Sequence, residues 1–283
     1  MRKQMPHKSA ISVILVVLLI LAGVFPLLYF MLVEVGIAQS PEDSMAVTEG
    51  INSFDRYVEN VAFGAKEKFT YDINYGFINA GEATMEVVRL IEFENRPCHQ
   101  IVTRAKSNKF FSTFYKVDDR VESIIDAVGL FSWRFEKNLR EGGYRDDRVC
   151  LFDQRNHVVL YQEDTISVPP YVQDALSVMY YIRTQTLEPG QILFVDNFTD
   201  GKLYPLEVRV LERERVEVKA GSFDCVVVEP LLKSVGVFKH EGKLRVWLTD
   251  DRLKMPVLMK SKILVGSITA ELTDFRLGDI EVF

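Results

Sequence analysis

The chain has 283 residues, with 40 acidic against 34 basic side chains and a formal net charge of −6. Removing residues 1–38 takes away Arg2, Lys3 and Lys8 against only Glu34, so the remainder is more acidic still. No cluster of lysine and arginine stands free of interleaved acids, which excludes nucleic acid as a partner and disfavours anionic lipid surfaces, since both require a basic patch.

The uncharged apolar run from Ala10 to Val33 follows a basic tail, residues 1–9. At ~1.5 Å per residue it reaches about 36 Å as a helix, more than the ~30 Å hydrocarbon core of a bilayer. Arg2, Lys3 and Lys8 precede it and Glu34, Glu42 and Asp43 follow, so the expected topology is N-terminus in the cytoplasm and main body exported. The expected location is single-pass in a membrane, with the main domain on its far side. Gly36-Ile37-Ala38 before Gln39 offers a cleavage site that would release a periplasmic form, but the run exceeds the ~7–15 residues usual for a signal peptide, so an uncleaved anchor is the primary reading. The absence of a cysteine close behind it argues against a lipid-modified N-terminus.

Residues 34–66 read as a juxtamembrane linker, polar from 39 onward, broken by Pro41, Gly50 and Gly64, with one short helix around Ser53 to Ala62. Residues 67–283 form the expected exported β domain. Phe69, Tyr71, Ile73, Tyr75 and Phe77 alternate with Thr70, Asp72, Asn74 and Gly76, the period of a half-buried strand. Alternation returns in Ala83, Met85 and Val87, in His99, Ile101 and Thr103, and in Phe131, Trp133 and Phe135. It continues in Leu206, Val208 and Val210, in Leu244, Val246 and Leu248, in Val257, Met259, Ser261 and Ile263, and in Ile268, Ala270 and Leu272. Asp200-Gly201, Ala220-Gly221, the bend from Asp250 to Pro256 and Gly266 supply the turns, and such short connections imply antiparallel neighbours.

One segment follows another period. After Pro169-Pro170, Val172, Ala175, Leu176, Met179 and Ile182 recur at three- and four-residue spacing before Leu187 and Gly190, predicting an amphipathic helix. The predicted fold is therefore all-β and mainly antiparallel, a curved sheet or barrel-like domain with one crossing helix, behind a single N-terminal transmembrane helix.

Candidate chemistry is sparse. Cys98, Cys150 and Cys225 lie in apolar or alternating stretches and read as buried small hydrophobes, with one disulfide of undetermined connectivity as the alternative. The spacing of cysteine and histidine carries no zinc signature, and no G-x-S-x-G elbow, P-loop or H-E-x-x-H is present. The pairs Asp118-Asp119 and Asp250-Asp251 sit beside Arg120 and Arg252 and read first as turn-stabilising ion pairs. Asp174, Ser177 and Tyr181 share a helix face, Arg183 suits the helix C-terminus, and Phe110, Phe111, Phe114, Tyr115, Phe131, Trp133 and Phe135 concentrate aromatic surface. Aromatic lining around an apolar ligand is the functional reading of that concentration, and core packing the plain one.

The ordered set Tyr75-Gly76, Ala80-Gly81-Glu82-Ala83, Tyr115-Lys116-Val117-Asp118-Asp119 and Asp174-Ala175-Leu176-Ser177 with Tyr180 and Arg183 resembles a bacterial envelope family, the domain of unknown function 3108. So does Gly221-Ser222-Phe223-Asp224-Cys225 followed by Val246-Trp247-Leu248-Thr249-Asp250-Asp251 and Pro256-Val257. The resemblance covers about residues 66–278. It implies an exported, largely antiparallel β protein with no established activity, substrate or catalytic residues; the long anchor departs from the cleaved signal of many relatives.

The leading expectation is a non-enzymatic, membrane-tethered periplasmic domain binding an apolar or amphiphilic envelope component, a lipid or lipid-linked glycan, without cofactor or metal. The ligand-binding candidates are Tyr75, Phe111, Tyr115, Trp133, Asp174, Ser177, Tyr181 and Trp247. Two alternatives predict different structures: an interaction scaffold of an envelope protein assembly, with an exposed apolar or edge-strand patch, and a hydrolase or transferase, with Asp174, Ser177, Asp118 or Asp250 clustered in one cleft.

Overall fold

In the computed structural model the described residues are 54–231, 244–262, 266–281 and 283. The apolar leader and the proposed cleavage site lie outside them. Among the described residues no helix is long and apolar enough to cross a membrane.

Alternation drives nearly every element. The strands are β1 (Lys68–Tyr75), β2 (Ile78–Phe93), β3 (Arg96–Ser107), β4 (Asp118–Asp126), β5 (Ser132–Glu141), β6 (Tyr144–Asp153), β7 (Val158–Tyr161) and β8 (Asp164–Ser167). The helix α1 (Ser177–Arg183) precedes β9 (Ile192–Thr199), β10 (Lys202–Val218), β11 (Gly221–Leu231), β12 (Leu244–Thr249), β13 (Pro256–Lys262) and β14 (Ser267–Arg276). They form one 14-stranded sheet in the order β8-β7-β6-β5-β4-β3-β2-β1-β14-β13-β12-β11-β10-β9, antiparallel at every pairing. Phe69, Tyr71 and Ile73 of β1 are buried while Thr70, Asp72 and Asn74 are half-exposed, as the period of two requires.

Strand pairing leaves β8 and β9 as edges, so the ladder itself is not closed. Other groups span the gap. The Phe198 N–H donates to Gln173 O (2.8 Å) and the Gln173 N–H to Asp196 O (2.9 Å), a short parallel bridge onto β9. Gln154 Nε2 donates to the carbonyls of Ser132 (2.7 Å) and Val172 (3.1 Å), tying that bridge to β5 and β6. Above it, Phe198 meets Phe152 and Tyr161 edge to face, with centroids 6.1 and 5.9 Å apart. The sheet is thus barrel-like, its seam filled by residues 171–174 and aromatic rings.

Alternating hairpins define two ends. The base carries α1, the turn between β2 and β3 and the strap of residues 54–66; the rim carries the β1–β2 turn, residues 108–117 and the β5–β6 and β9–β10 turns. The helix is shorter than its sequence period suggested. Residues 171–176 are irregular because they complete the seam, and Pro169-Pro170 lies before that segment.

In place of the helix expected around Ser53 to Ala62, the described residues 54–62 are irregular and pack across the base. Phe63 meets Tyr180 of α1 (4.9 Å between centroids), and Gly64 runs so close to the C-terminal segment that an added Cβ would lie 1.9 Å from Asp279 O. Arg183 is fully buried under it: its guanidinium donates to both Glu67 oxygens at 2.7 Å, to Ala62 O at 3.0 Å and to Leu253 O. Arg183 therefore does more than complement the helix dipole; it bolts strap, helix and the β12–β13 turn together.

The core fills the barrel. Its cluster of buried side chains runs from Phe63 through Tyr71, Met85, Ile101, Leu139, Tyr180 and Val208 to Leu272. A second cluster lies outside the sheet near the base, where Cys98, Ile124, Phe131 and Trp133 pack under Phe54 and Tyr171. A register shift at Ile124/Ile125 frees Trp133 from the inward phase and turns it outward. The three cysteines are buried and free, with no disulfide among them.

Candidate functional site

Phe135, Lys137, Leu139 and Glu141 share the inward phase of β5, which places an ammonium and a carboxyl inside the barrel near the rim. Lys137 Nζ pairs with Asp200 at 2.5 Å and Asp146 at 3.2 Å. Arg148 Nε reaches Asp146 at 2.7 Å, and its guanidinium also contacts the Tyr161 hydroxyl. These groups join β5, β6 and β7 to the β9–β10 turn, so the first duty of the cluster is to close the seam.

Asp119 and Glu141 lie side by side next to it. Asp119 accepts a hydrogen bond from the Arg140 N–H (2.6 Å), whereas neither oxygen of Glu141 accepts one among the described residues. Burial raises the proton affinity of both carboxyls, and the Asp119 charge adds to the rise at Glu141. Shifted carboxyls mark many active sites. Here, however, Asp119 and Glu141 are 4% and 1% exposed. The best-formed concavities among the described residues are a void of about 10 Å³ beside Val117 and Ser107, room for one water, and an open depression of about 350 Å³ outside the base along Leu90 to Pro97. Neither concavity is lined by Asp119 or Glu141.

Asp174 and Ser177 do meet, at the base. One Asp174 oxygen accepts the N–H groups of Leu176 and Ser177, both at 2.8 Å, and the other accepts the hydroxyls of Ser123 (2.6 Å) and Ser132 (2.7 Å). This node starts α1 and anchors it to β4 and β5. Ser177 Oγ has Ser132 and the Asp174 backbone as partners and is buried, so the cluster is a structural cap without a general base. Asp118 and Asp250 stay apart, paired with Lys106 (3.7 Å) and Arg213 (2.9 Å), not with Arg120 and Arg252. Asp251 does stabilise its turn, accepting from Leu253 and Lys254 N–H. No group of three or more metal-ligating side chains occurs among the described residues.

The remaining candidates scatter. Trp133 Nε1 donates to buried Asp126 (3.3 Å) in the outer cluster at the base, and Tyr181 stacks under Arg56 of the strap (4.8 Å). Trp247 faces outward on β12, hydrogen-bonded to Glu214 with Lys260 over its ring at 5.3 Å. Tyr75, Phe111 and Tyr115 share the rim: Tyr75 lies against Gly266, Phe111 seats a 3-10 turn over Phe111–Thr113, and Tyr115 covers Gly142, where positive φ (55°) and a ring 2.6 Å from an added Cβ demand glycine.

Two rim loops carry what the sequence did not bring together. Asn108 Nδ2 donates to Asn79 O (2.7 Å), and the Asn108 N–H to Ala80 O (2.9 Å), binding the β1–β2 turn to residues 108–117. Phe77, wholly exposed, and Phe110 and Phe114, 62% and 76% exposed, stand on this joined tip with Ile78. Strand alternation placed Phe77 on the buried face; the turn at Gly76 (φ 57°) ends β1 before it and leaves it in water.

These features define a barrel-like, antiparallel β domain with a filled interior and an apolar rim. The chain belongs to the family described as "Protein of unknown function (DUF3108)", which it matches over residues 70–273. No curated protein matches it. Among solved structures it is similar to a β-barrel-like protein of domain of unknown function DUF1849 from Brucella abortus, with TM-score 0.52 and 11% identity over 77% of this chain and 100% of that one. It is also similar to a hypothetical protein from Chlamydia trachomatis (TM-score 0.36, 5% identity, 77% and 93% covered). A third, a candidate exported protein with a YmcC-like fold from Bacteroides fragilis, has TM-score 0.31 and 14% identity, with 78% and 99% covered. The first of these likenesses supports the barrel-like fold.

Proposed function

We propose that this protein is a non-enzymatic envelope module, held in the inner membrane by residues 10–33, that binds an amphiphilic envelope component on its outside and not in its lumen. The observation that carries this reading is a barrel filled by its own side chains together with large aromatic rings exposed at one pole. Export rests on the basic tail ahead of the Ala10 to Val33 run. The chain reaches the base of the barrel through the strap, so the apolar rim occupies the pole away from the tether.

The test is photocross-linking in intact cells from a benzophenone side chain at position 110 or 114, with position 212 on β10 as control. Adducts with lipid, lipid-linked glycan or an envelope protein at the rim alone support external binding, and their masses separate a lipid ligand from a scaffold partner. Equal labelling at the control position, or protection of the domain from protease added to spheroplasts, refutes the reading.

A further inference from the structure

The joined tip differs in charge from the molecule as a whole, because the fold brings together two lysine-bearing segments into a small basic patch that the linear sequence lacks. Residues 76–81 and 108–117 contain Lys109 and Lys116 and no acidic residue, in a chain with a net charge of −6. Below them, exposed Lys106 lies 3.7 Å from exposed Asp118 and across from exposed Glu82, so the charges there balance toward the acidic side and the uncompensated lysines are those of the tip itself. The tip thus pairs projecting aromatic rings with two exposed lysines, a combination formed by two segments some thirty residues apart and joined by Asn79 and Asn108.

The tip is also densely hydrogen-bonded within itself. Asn108 Oδ1 accepts the Phe111 N–H (2.9 Å), Ser107 and Ser112 hydroxyls meet at 2.7 Å, and the Phe114 and Tyr115 N–H groups both donate to Phe111 O. Phe111 points toward the core, whereas Phe110 and Phe114 pack edge to face at 5.5 Å with their outer surfaces in water. A loop with this much internal bonding has no need of exposed phenylalanines for its own stability. Rings held above lysines match a bilayer leaflet, where rings enter the acyl boundary and ammonium groups stay among anionic headgroups.

We infer that the joined tip, Phe77, Ile78, Phe110 and Phe114 with Lys109 and Lys116, is a docking surface for an anionic lipid leaflet. This deepens the external-binding reading by naming its occupant. The two parts fail separately: a rim that cross-links to protein or glycan but ignores vesicles keeps external binding and removes the leaflet.

The experiment uses the full chain reconstituted through its leader into phosphatidylcholine nanodiscs on beads, challenged with fluorescent vesicles of phosphatidylcholine alone or with one quarter phosphatidylglycerol. Anionic vesicles are expected to be captured at least tenfold better than neutral ones. Phe110→Ser with Phe114→Ser should lower that capture at least tenfold, and Lys109→Glu with Lys116→Glu should lower it about fivefold or more per charge. Phe194→Ser, at an exposed ring on β9, should leave it unchanged. Unaltered thermal midpoints show that the variants fold. Equal capture of both vesicles, or indifference to the tip substitutions, overturns the inference. So does a tip-dependent pairing of nanodiscs without vesicles, which would make the occupant a second copy.

Discussion

Replacing Glu67 by alanine should remove a large part of this domain's stability. Arg183 is fully buried, and its walls are the rings of Phe63, Phe69 and Tyr180, each 5.3–5.4 Å from the guanidinium carbon. Both Glu67 oxygens accept from it at 2.7 Å, so truncation leaves a cation with two carbonyl acceptors and no counter-charge. Breaking one side of such a pair costs about 3–5 kcal/mol. For a domain of this size that lowers the melting temperature by roughly 6–20 °C. The assay is urea and thermal denaturation of the chain from Gln39 onward, followed by circular dichroism, for Glu67→Ala, Arg183→Met and the double variant Glu67→Leu with Arg183→Met. Since the double variant leaves no lone charge, it should recover about 2 kcal/mol or more relative to the summed single losses. A Glu67→Ala loss below about 1 kcal/mol, or strict additivity, would refute the bolt between strap and helix.

Gly64→Ala should cost about 2 kcal/mol or more, because the new methyl falls on Asp279 O and the strap must lift; unchanged urea midpoints would contradict that contact. Asp174→Ala should destabilise by about 3 kcal/mol by orphaning two buried N–H groups and two hydroxyls, while Ser177→Ala costs about 1 kcal/mol and leaves rim cross-linking intact. Burial pushes the His99 imidazole down to about 4, so its contribution is complete above the ordinary value of ~6.5 and is lost as pH falls through about 4, a loss of about 3 kcal/mol that His99→Leu should abolish. The Asp119–Glu141 pair has the opposite sign: its raised proton affinity favours folding at low pH, and this is lost as pH rises, so Glu141→Gln should gain on the wild type with increasing pH in denaturation titrations. Burial pushes all three thiols up to about 12, so maleimide should label Cys98, Cys150 and Cys225 only after unfolding; rapid labelling of the native chain would show the packing to be wrong.

The strands were readable because one inward face leaves a period of two in the sequence, clear in β1 and in Val208 and Val210 of β10. The same period contains Lys137 and Glu141 in phase with Phe135 and Leu139, a signal of buried charge that a search for apolar alternation passes over. The helix was found but overextended, since Val172 is apolar for the seam and not for a helix stripe. The candidate residues did not form one site. Asp174 and Ser177 meet as a cap, whereas Trp133, Tyr181 and Trp247 are dispersed by a bulge, a strap and an outward face that local spacing does not encode. Alternation cannot locate the residue at which a strand yields to its turn, which is how Phe77 was assigned inward. The joined tip depends on Asn79 meeting Asn108, a contact no local pattern announces.

Gly64 and Phe63 of the strap lie beside Asp279 and, through His99, Phe283, so the leading and trailing segments of the domain converge at the same pole. A fluorescent reporter appended after Phe283 would therefore sit at the base of the barrel, leaving Phe110 and Phe114 unobstructed. Labelled chains of this kind can be followed in living cells without masking the surface whose occupant is in question.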